Sequence, residues 1–247
     1  MKHSFWEAFQ NTIDRDNFRG EGHYLAQLVG ATKEQYVTAF RHAMQVAPAL
    51  VTNSSEDGAF GAITFDIDGK TVSRDLIDSV LELAFLDEHV CLRDLTVFDI
   101  GAGYGRFATR LLDLFPTNEV YCFDAIPVSS ELCRRYLDHR QTTRANVVPF
   151  DQLLDYKNAD LAVNIHSWSE CTLDAIQFWI DFIVASGVKW LFVVPHDDRF
   201  RAREINGTTP SFLPLIEKHF ECVAQRSKYP PGVDGAFPTV YALFEAR

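Results

Sequence analysis

Asp99, Gly101, Gly103 and Gly105 fall at two-residue steps at the end of the apolar run Leu95 to Ile100. That spacing suits a buried strand running into a loop whose backbone turns tightly and approaches a ligand where a Cβ would clash. Phe107 to Leu114 then carries helical apolar spacing, so the loop brings a helix N-terminus over the strand end. Asp124 ends a second apolar run, 25 residues after Asp99. A carboxylate there is placed to accept both hydroxyls of a ribose, although an acid ahead of Pro127 would also serve as a helix cap. Asp151 ends a third run and is a candidate for an adenine amino group. His166 ends a fourth run, where it would act as a base near neutral pH or hydrogen-bond a neighbouring carbonyl. Glu170 would orient His166, bind hydroxyl groups or cap a helix at Thr172. His196 follows a fifth run, in His196-Asp197-Asp198, where either acid would orient the histidine or hold a divalent ion.

The glycine spacing separates two classes of nucleotide site. A dinucleotide fingerprint is Gly-x-Gly-x-x-Gly, and its third glycine would fall at Arg106. Asp99-x-Gly101-x-Gly103-x-Gly105 instead resembles the first motif of Rossmann-like S-adenosylmethionine-dependent methyltransferases. In those enzymes the glycines pass under the cofactor and the acid lies beneath its amino-acid end. Arg106, at a helix N-terminus that favours anions, would face the cofactor carboxylate or point to solvent. A nicotinamide dehydrogenase is disfavoured by the same residue.

The chain has 247 residues, 47% of them hydrophobic and 13% aromatic, enough for a full core. A net charge of −11 argues against a general nucleic-acid binder, which needs a basic face to neutralise phosphates. Cys91, Cys122, Cys133, Cys171 and Cys222 are scattered, without a Cys-x-x-Cys pair, so neither a disulfide framework nor a zinc site is expected. The first residues lack an apolar stretch of signal-peptide length, and Phe178 to Pro195 is interrupted by Asp181, Ser186, Gly187 and Lys189. The expectation is a cytoplasmic protein without membrane insertion.

Residues 4 to 46 read mostly as helices, with Thr32 and Gln35 at capping-box spacing and Pro48 ending the run. Val51 to Ala62 reads as a loop. Asp68-Gly69 joins two short strands in a hairpin, and Ser73 caps a helix carrying Leu76, Val80, Leu83 and Leu86. Strands follow at Leu95 to Ile100, Glu119 to Asp124, Asn146 to Asp151, Asp160 to His166 and Val188 to Pro195. A helix runs from about Thr172 through Ser186, and another from Ser211 to His219. Two last strands, Glu221 to Ser227 and Thr239 to Glu245, are joined by a Pro- and Gly-rich turn that suits a reversed final strand. Trp179 reads as core, whereas Trp168 could stack on a sugar face. Arg199-Phe200-Arg201-Ala202-Arg203 reads as a basic loop, either solvated or a lid.

Asp99 to Arg106, Leu114-Phe115-Pro116 and Asn164-Ile165-His166-Ser167-Trp168-Ser169-Glu170-Cys171-Thr172 together resemble the sugar O-methyltransferase family. Gly69 to Leu76 extends the likeness, which covers roughly residues 60 to 195. Cys171 stands where that family carries Met. Related enzymes act on bacterial polysaccharides and glycolipid sugars, including methylated mannose polymers of mycobacteria. The resemblance implies an α/β Rossmann-like seven-stranded methyltransferase sheet, six strands parallel and one reversed, with an N-terminal helical extension. The expected division is a helical cap with a hairpin over 1–90 and an S-adenosylmethionine-binding catalytic domain over 91–247. The implied activity is transfer of a methyl group from S-adenosyl-L-methionine to a hydroxyl of a sugar or oligosaccharide in polysaccharide biosynthesis, with S-adenosyl-L-homocysteine as product. Cofactor residues would be Asp99, Gly101, Gly103, Gly105, Arg106, Asp124 and Asp151, and catalytic residues His166, Glu170 and His196. A divalent metal is left open without being favoured, as is a homodimer. The alternatives are a non-sugar small-molecule acceptor or a catalytically silent methyltransferase-like partner protein.

Overall fold

A computed structural model describes residues 12–20, 24, 32–229 and 239–247. Within them the helix Lys33–Val46 (α1) starts at the expected capping box, in which Thr32 and Gln35 bond each other's backbone. The rest of the expected N-terminal helical run differs. Residues 12–20 form turns, because Asp14 Oδ1 accepts the Asp16 amide and the Asp14 carbonyl accepts that of Asn17, local bonds that compete with a helix. Residues 4–11, 21–23 and 25–31 of that run lie outside the described residues.

Pro48 ends α1 and also opens a second helix, Pro48–Asn53 (α2), so the expected loop begins only at Ser54. Strands Thr64–Ile67 (β1) and Lys70–Ser73 (β2) form the hairpin, with Asp68 and Gly69 both at positive φ in its turn. Ser73 caps Arg74–His89 (α3) by accepting the Leu76 amide.

The remaining elements alternate in the expected way. They are Thr96–Ile100 (β3), Arg106–Leu114 (α4), Glu119–Phe123 (β4), Pro127–His139 (α5), Ala145–Val148 (β5) and Leu161–Ile165 (β6). Leu173–Ala185 (α6), Trp190–Val194 (β7), Leu213–Glu217 (α7), Phe220–Ser227 (β8) and Val240–Ala246 (β9) follow. Seven strands form one sheet in the order β5-β4-β3-β6-β7-β9-β8. The first five are mutually parallel, and β9 runs antiparallel to both β7 and β8, so six strands share a direction and one is reversed. The Pro- and Gly-rich connection between β8 and β9 falls largely outside the described residues.

Alternation along the strands divides the core. Val97, Val120, Leu161 and Phe192 pack with α1, α3 and α4 on one face, while Phe98, Ile100, Ala162 and Leu191 pack with α6 on the other. Helix α3 shares that first core, since Leu76, Val80 and Leu83 sit in one cluster with Val97, Phe192 and Leu243. From β3 the chain winds outward through β4 and β5, then returns to β6 on the opposite side of β3. This reversal opens a crevice at the carboxyl ends of β3 and β6, the usual ligand position in open α/β sheets.

Candidate active site

The loop after β3 takes the form its glycines allow. Gly101, Gly103 and Gly105 have φ of 73°, 57° and 83°. A Cβ on Gly101 would lie 2.1 Å from Ser167 Oγ, so strand β6's turn packs directly on the loop. The amides of Gly101 and Ala102 donate to the Phe123 carbonyl at 2.8 and 3.1 Å. Asp124 binds the loop as well: its Oδ2 accepts the Gly103 amide at 3.0 Å and its Oδ1 the Ile126 amide at 2.8 Å. Asp124 thus binds the turn ahead of Pro127 and the glycine loop, while the N-cap of α5 is Ile126, without a side-chain cap bond. Burial raises the Asp124 pKa to about 6, against the two amide bonds.

Asp99 alternates onto the face of β3 that meets α3 and α4, with Oδ2 buried and without a hydrogen-bond partner among the described residues. Burial pushes its pKa up to about 7; Arg106 opposes the rise, and Asp124 and Glu82 add to it. Because this folded value lies above the unfolded one, the penalty of the buried charge grows as pH rises from about 4 and is complete above about 7. Asp99→Asn is therefore expected to raise the melting temperature most at about pH 8 and by a clearly smaller amount at about pH 5, by thermal unfolding at both values.

Arg106 departs from both sequence readings. Its guanidinium turns into the interior, where Nη1 donates to Ser79 Oγ and Glu82 Oε2, each at 2.7 Å. The physical reason is α3, whose acids line the inner side of α4 and draw in the cation that the helix dipole disfavours. Asp151 falls in a 3-10 turn, Phe150–Asp155, because β5 stops at Val148; it is exposed.

His166, Glu170 and His196 converge from the ends of β6 and β7. The His166 amide donates to the Val194 carbonyl at 2.7 Å, and its ring centroid lies 5.2 Å from that of His196. His196 Nε2 lies 3.7 Å from Glu170 Oε1. Glu170 thus stands beside His196 and does not cap α6; Thr172 Oγ1 and Glu204 supply that helix's caps by accepting the Ala175 and Leu173 amides. His166 has φ 68° and ψ −32°, a sparsely populated conformation for a residue with a Cβ, held here by the surrounding bonds. Its Nδ1 is buried without a hydrogen-bond partner among the described residues. Burial, with Lys228, His196 and Arg106 nearby, holds its pKa well below the ordinary histidine value. The ring is neutral at pH 7, as a proton acceptor must be.

Two further expectations change. Trp168 is buried against Phe212 and offers no face to a sugar, because its turn folds under the β6 end. Asp197 pairs with Arg201 instead of His196. Among the described residues, no group of three or more His, Cys, Asp or Glu is placed so that it could hold a metal ion. In Arg199 to Arg203, Phe200 and Ala202 are buried while Arg199, Arg201 and Arg203 are exposed, which anchors the segment through its spacers.

Two features went unread in the sequence. Asn164, buried, donates to the Ile100 carbonyl at 2.8 Å and to Ser167 Oγ at 2.6 Å and accepts the Trp168 amide at 3.2 Å. It ties β6 to the glycine loop, and the Asn-x-x-Ser spacing was its signal. The second is a set of buried charges on α3. Asp75 meets Arg19 and Arg110, Asp78 meets Arg74 and Lys228, and Glu82 meets Arg106.

The strand order, the reversed β9 and the glycine loop define the seven-stranded Rossmann-like methyltransferase fold. Solved structures agree. Magnesium protoporphyrin IX methyltransferase from Synechocystis PCC 6803, with bound SAM, is similar over 88% of this chain and 99% of its own, with TM-score 0.51 and 11% identity. The mitomycin 7-O-methyltransferase MmcR is similar over 86% and 68%, with TM-score 0.52 and 17% identity. The [4+2]-cyclase SpnF is similar over 87% and 97%, with TM-score 0.55 and 15% identity. No protein-family model and no curated relative matches the chain. At such identities the likeness is one of fold, and a cyclase among these structures means that the chemistry must be argued from the site. No helix among the described residues is long and apolar enough to cross a membrane.

Proposed function

We propose that the protein is an S-adenosylmethionine-dependent O-methyltransferase acting on a hydroxyl of a sugar or oligosaccharide. The observation that carries this reading is the pairing of Asp124 with the glycine loop, since one carboxylate both holds the Gly103 amide and faces the crevice end of the sheet. The residues fit the cofactor. Asp124 has lone pairs left for ribose hydroxyls, Asp99 keeps a buried oxygen, unpartnered among the described residues, for the amino-acid end, and Asp151 stands exposed after β5 for the adenine amino group. When bound, S-adenosylmethionine supplies a methyl group already activated for transfer, so the protein's work is alignment and proton removal. His166 is the base in this reading: neutral, at the end of the strand next to the loop, and with Nδ1 unpartnered among the described residues. Glu170 and His196 form the polar wall beside it. The reading divides the chain into a cap (1–90) and a cofactor-binding domain (91–247), with α3 of the first packed into the core of the sheet.

The sugar acceptor rests on the sequence resemblance. The burial of Trp168 favours a second reading, a non-sugar small-molecule hydroxyl, because it removes the aromatic platform. Calorimetric titration with S-adenosylhomocysteine tests the cofactor. Wild type is expected to bind and Asp124→Ala to lose about 1.5–3 kcal/mol, on the scale of a hydrogen bond to a charged group. No binding, or tight binding of NADH instead, overturns the reading. A screen of mono- and oligosaccharides and small phenols with labelled cofactor then decides the acceptor.

A further inference from the structure

The glycine loop needs an anchor. Gly103 and Gly105 flank Tyr104, both at positive φ, so the backbone on either side of that residue has little intrinsic preference. Backbone bonds hold the loop toward β4, through the Phe123 carbonyl and Asp124. On its other side, Tyr104 donates its hydroxyl to Asp75 Oδ2 at 2.8 Å.

Asp75 is a fixed point. Its Oδ2 also accepts Arg19 Nε at 3.2 Å and Nη2 at 2.9 Å, and its Oδ1 accepts Arg110 Nε at 3.1 Å and Nη2 at 2.9 Å. Both guanidinium groups continue to Glu56, which accepts Ser73 Oγ as well. The Tyr104 ring is equally confined, with centroids 5.4 Å from Phe18, 5.4 Å from Tyr24 and 5.3 Å from Tyr136. Tyr24 lies so close over Gly103 that a Cβ there would sit 3.2 Å from its ring.

We propose that Tyr104, bonded to the buried Asp75, is the positioning residue of the glycine loop, setting Gly103 and Gly105 where the backbone meets the ligand. The role rests on the cofactor reading for its ligand, but the geometry of the loop stands by itself. Arg19 reaches the same oxygen of Asp75, so the segment 12–20 and the loop share one anchor.

The test compares Tyr104→Phe, which keeps the ring and removes only the hydroxyl, with Tyr136→Phe. Tyr136 belongs to the same aromatic cluster, and its hydroxyl has no hydrogen-bond partner among the described residues. Amide hydrogen exchange on the ligand-free full chain is expected to rise in Tyr104→Phe at residues 101–106 and to stay at the wild-type level in Tyr136→Phe. S-adenosylhomocysteine is expected to bind Tyr104→Phe about tenfold more weakly, the size of one lost hydrogen bond to a charged group. Its KM for S-adenosylmethionine should rise more than kcat falls. Unchanged loop exchange in Tyr104→Phe overturns the proposal, as does an equal rise in both variants. Raised exchange with unchanged affinity in a wild type that binds overturns its role in ligand binding. If wild type does not bind S-adenosylhomocysteine yet loop exchange rises only in Tyr104→Phe, the cofactor reading falls and the loop's anchor stands.

Discussion

Replacing His166 with alanine is expected to lower kcat by about 10²–10⁴-fold while leaving S-adenosylhomocysteine affinity near that of wild type. The size follows from the acceptor. A hydroxyl is a poor acid, and its proton must leave as the methyl group arrives. The split between kcat and affinity follows from position, since His166 ends β6 whereas the loop and Asp124 lie at the ends of β3 and β4. The pH profile supplies an independent check. Burial, with Lys228, His196 and Arg106 nearby, holds the His166 pKa well down, so the base is already neutral at pH 7. The acid limb of kcat should therefore fall below the ordinary histidine value of about 6.5, and it should vanish in the variant. A turnover equal to wild type across the profile would remove His166 from the mechanism and leave His196 as the candidate.

Asp75→Ala is expected to cost about 3–5 kcal/mol of folding stability, measured by urea unfolding at neutral pH. Asp75 is buried at the start of α3 and meets two guanidinium groups. Removing it leaves Arg19 and Arg110 buried with Glu56 as their nearest remaining acid, a loss much larger than that of a surface ion pair. The sign with pH is defined. Burial would raise the Asp75 pKa, but Arg110 and Arg19 outweigh it and hold the carboxyl well below the usual range. Its contribution is therefore complete at neutral pH and is lost only as pH falls below about 4, through the folded value. A stability loss no larger than that of an exposed pair such as Arg226–Glu88 would mean that the buried network relaxes around the gap.

Much of the architecture was legible because it is written in local patterns. Short apolar runs, punctuated by acids and glycines, marked the strands of the sheet, and the closing Pro- and Gly-rich connection marked the reversed one. Thr32 and Ser73 identified their helix starts through capping chemistry that depends only on near neighbours, whereas the cap at Thr172 was among the roles assigned to Glu170 and is made by Thr172 itself. The N-terminal stretch was misread where that locality failed. Asp14, Asp16 and Asn17 favour turns, and Arg19 is drawn inward by Glu56 and Asp75, partners 37 and 56 residues away.

The sequence by itself determined the strand order's raw material, the glycine loop, and the acids and histidines at strand ends, because strand and turn chemistry is set by adjacent residues. Only the tertiary structure decided which way the side chains face. It turned Arg106 from a cofactor or solvent contact into the partner of Glu82, buried Trp168, and joined Glu170 to His196. It also made Asp75 the meeting point of two arginines and the loop tyrosine. Charges find such partners across long stretches of chain because burial leaves each one costly unless opposed, and sequence spacing carries no record of which charges burial will bring together.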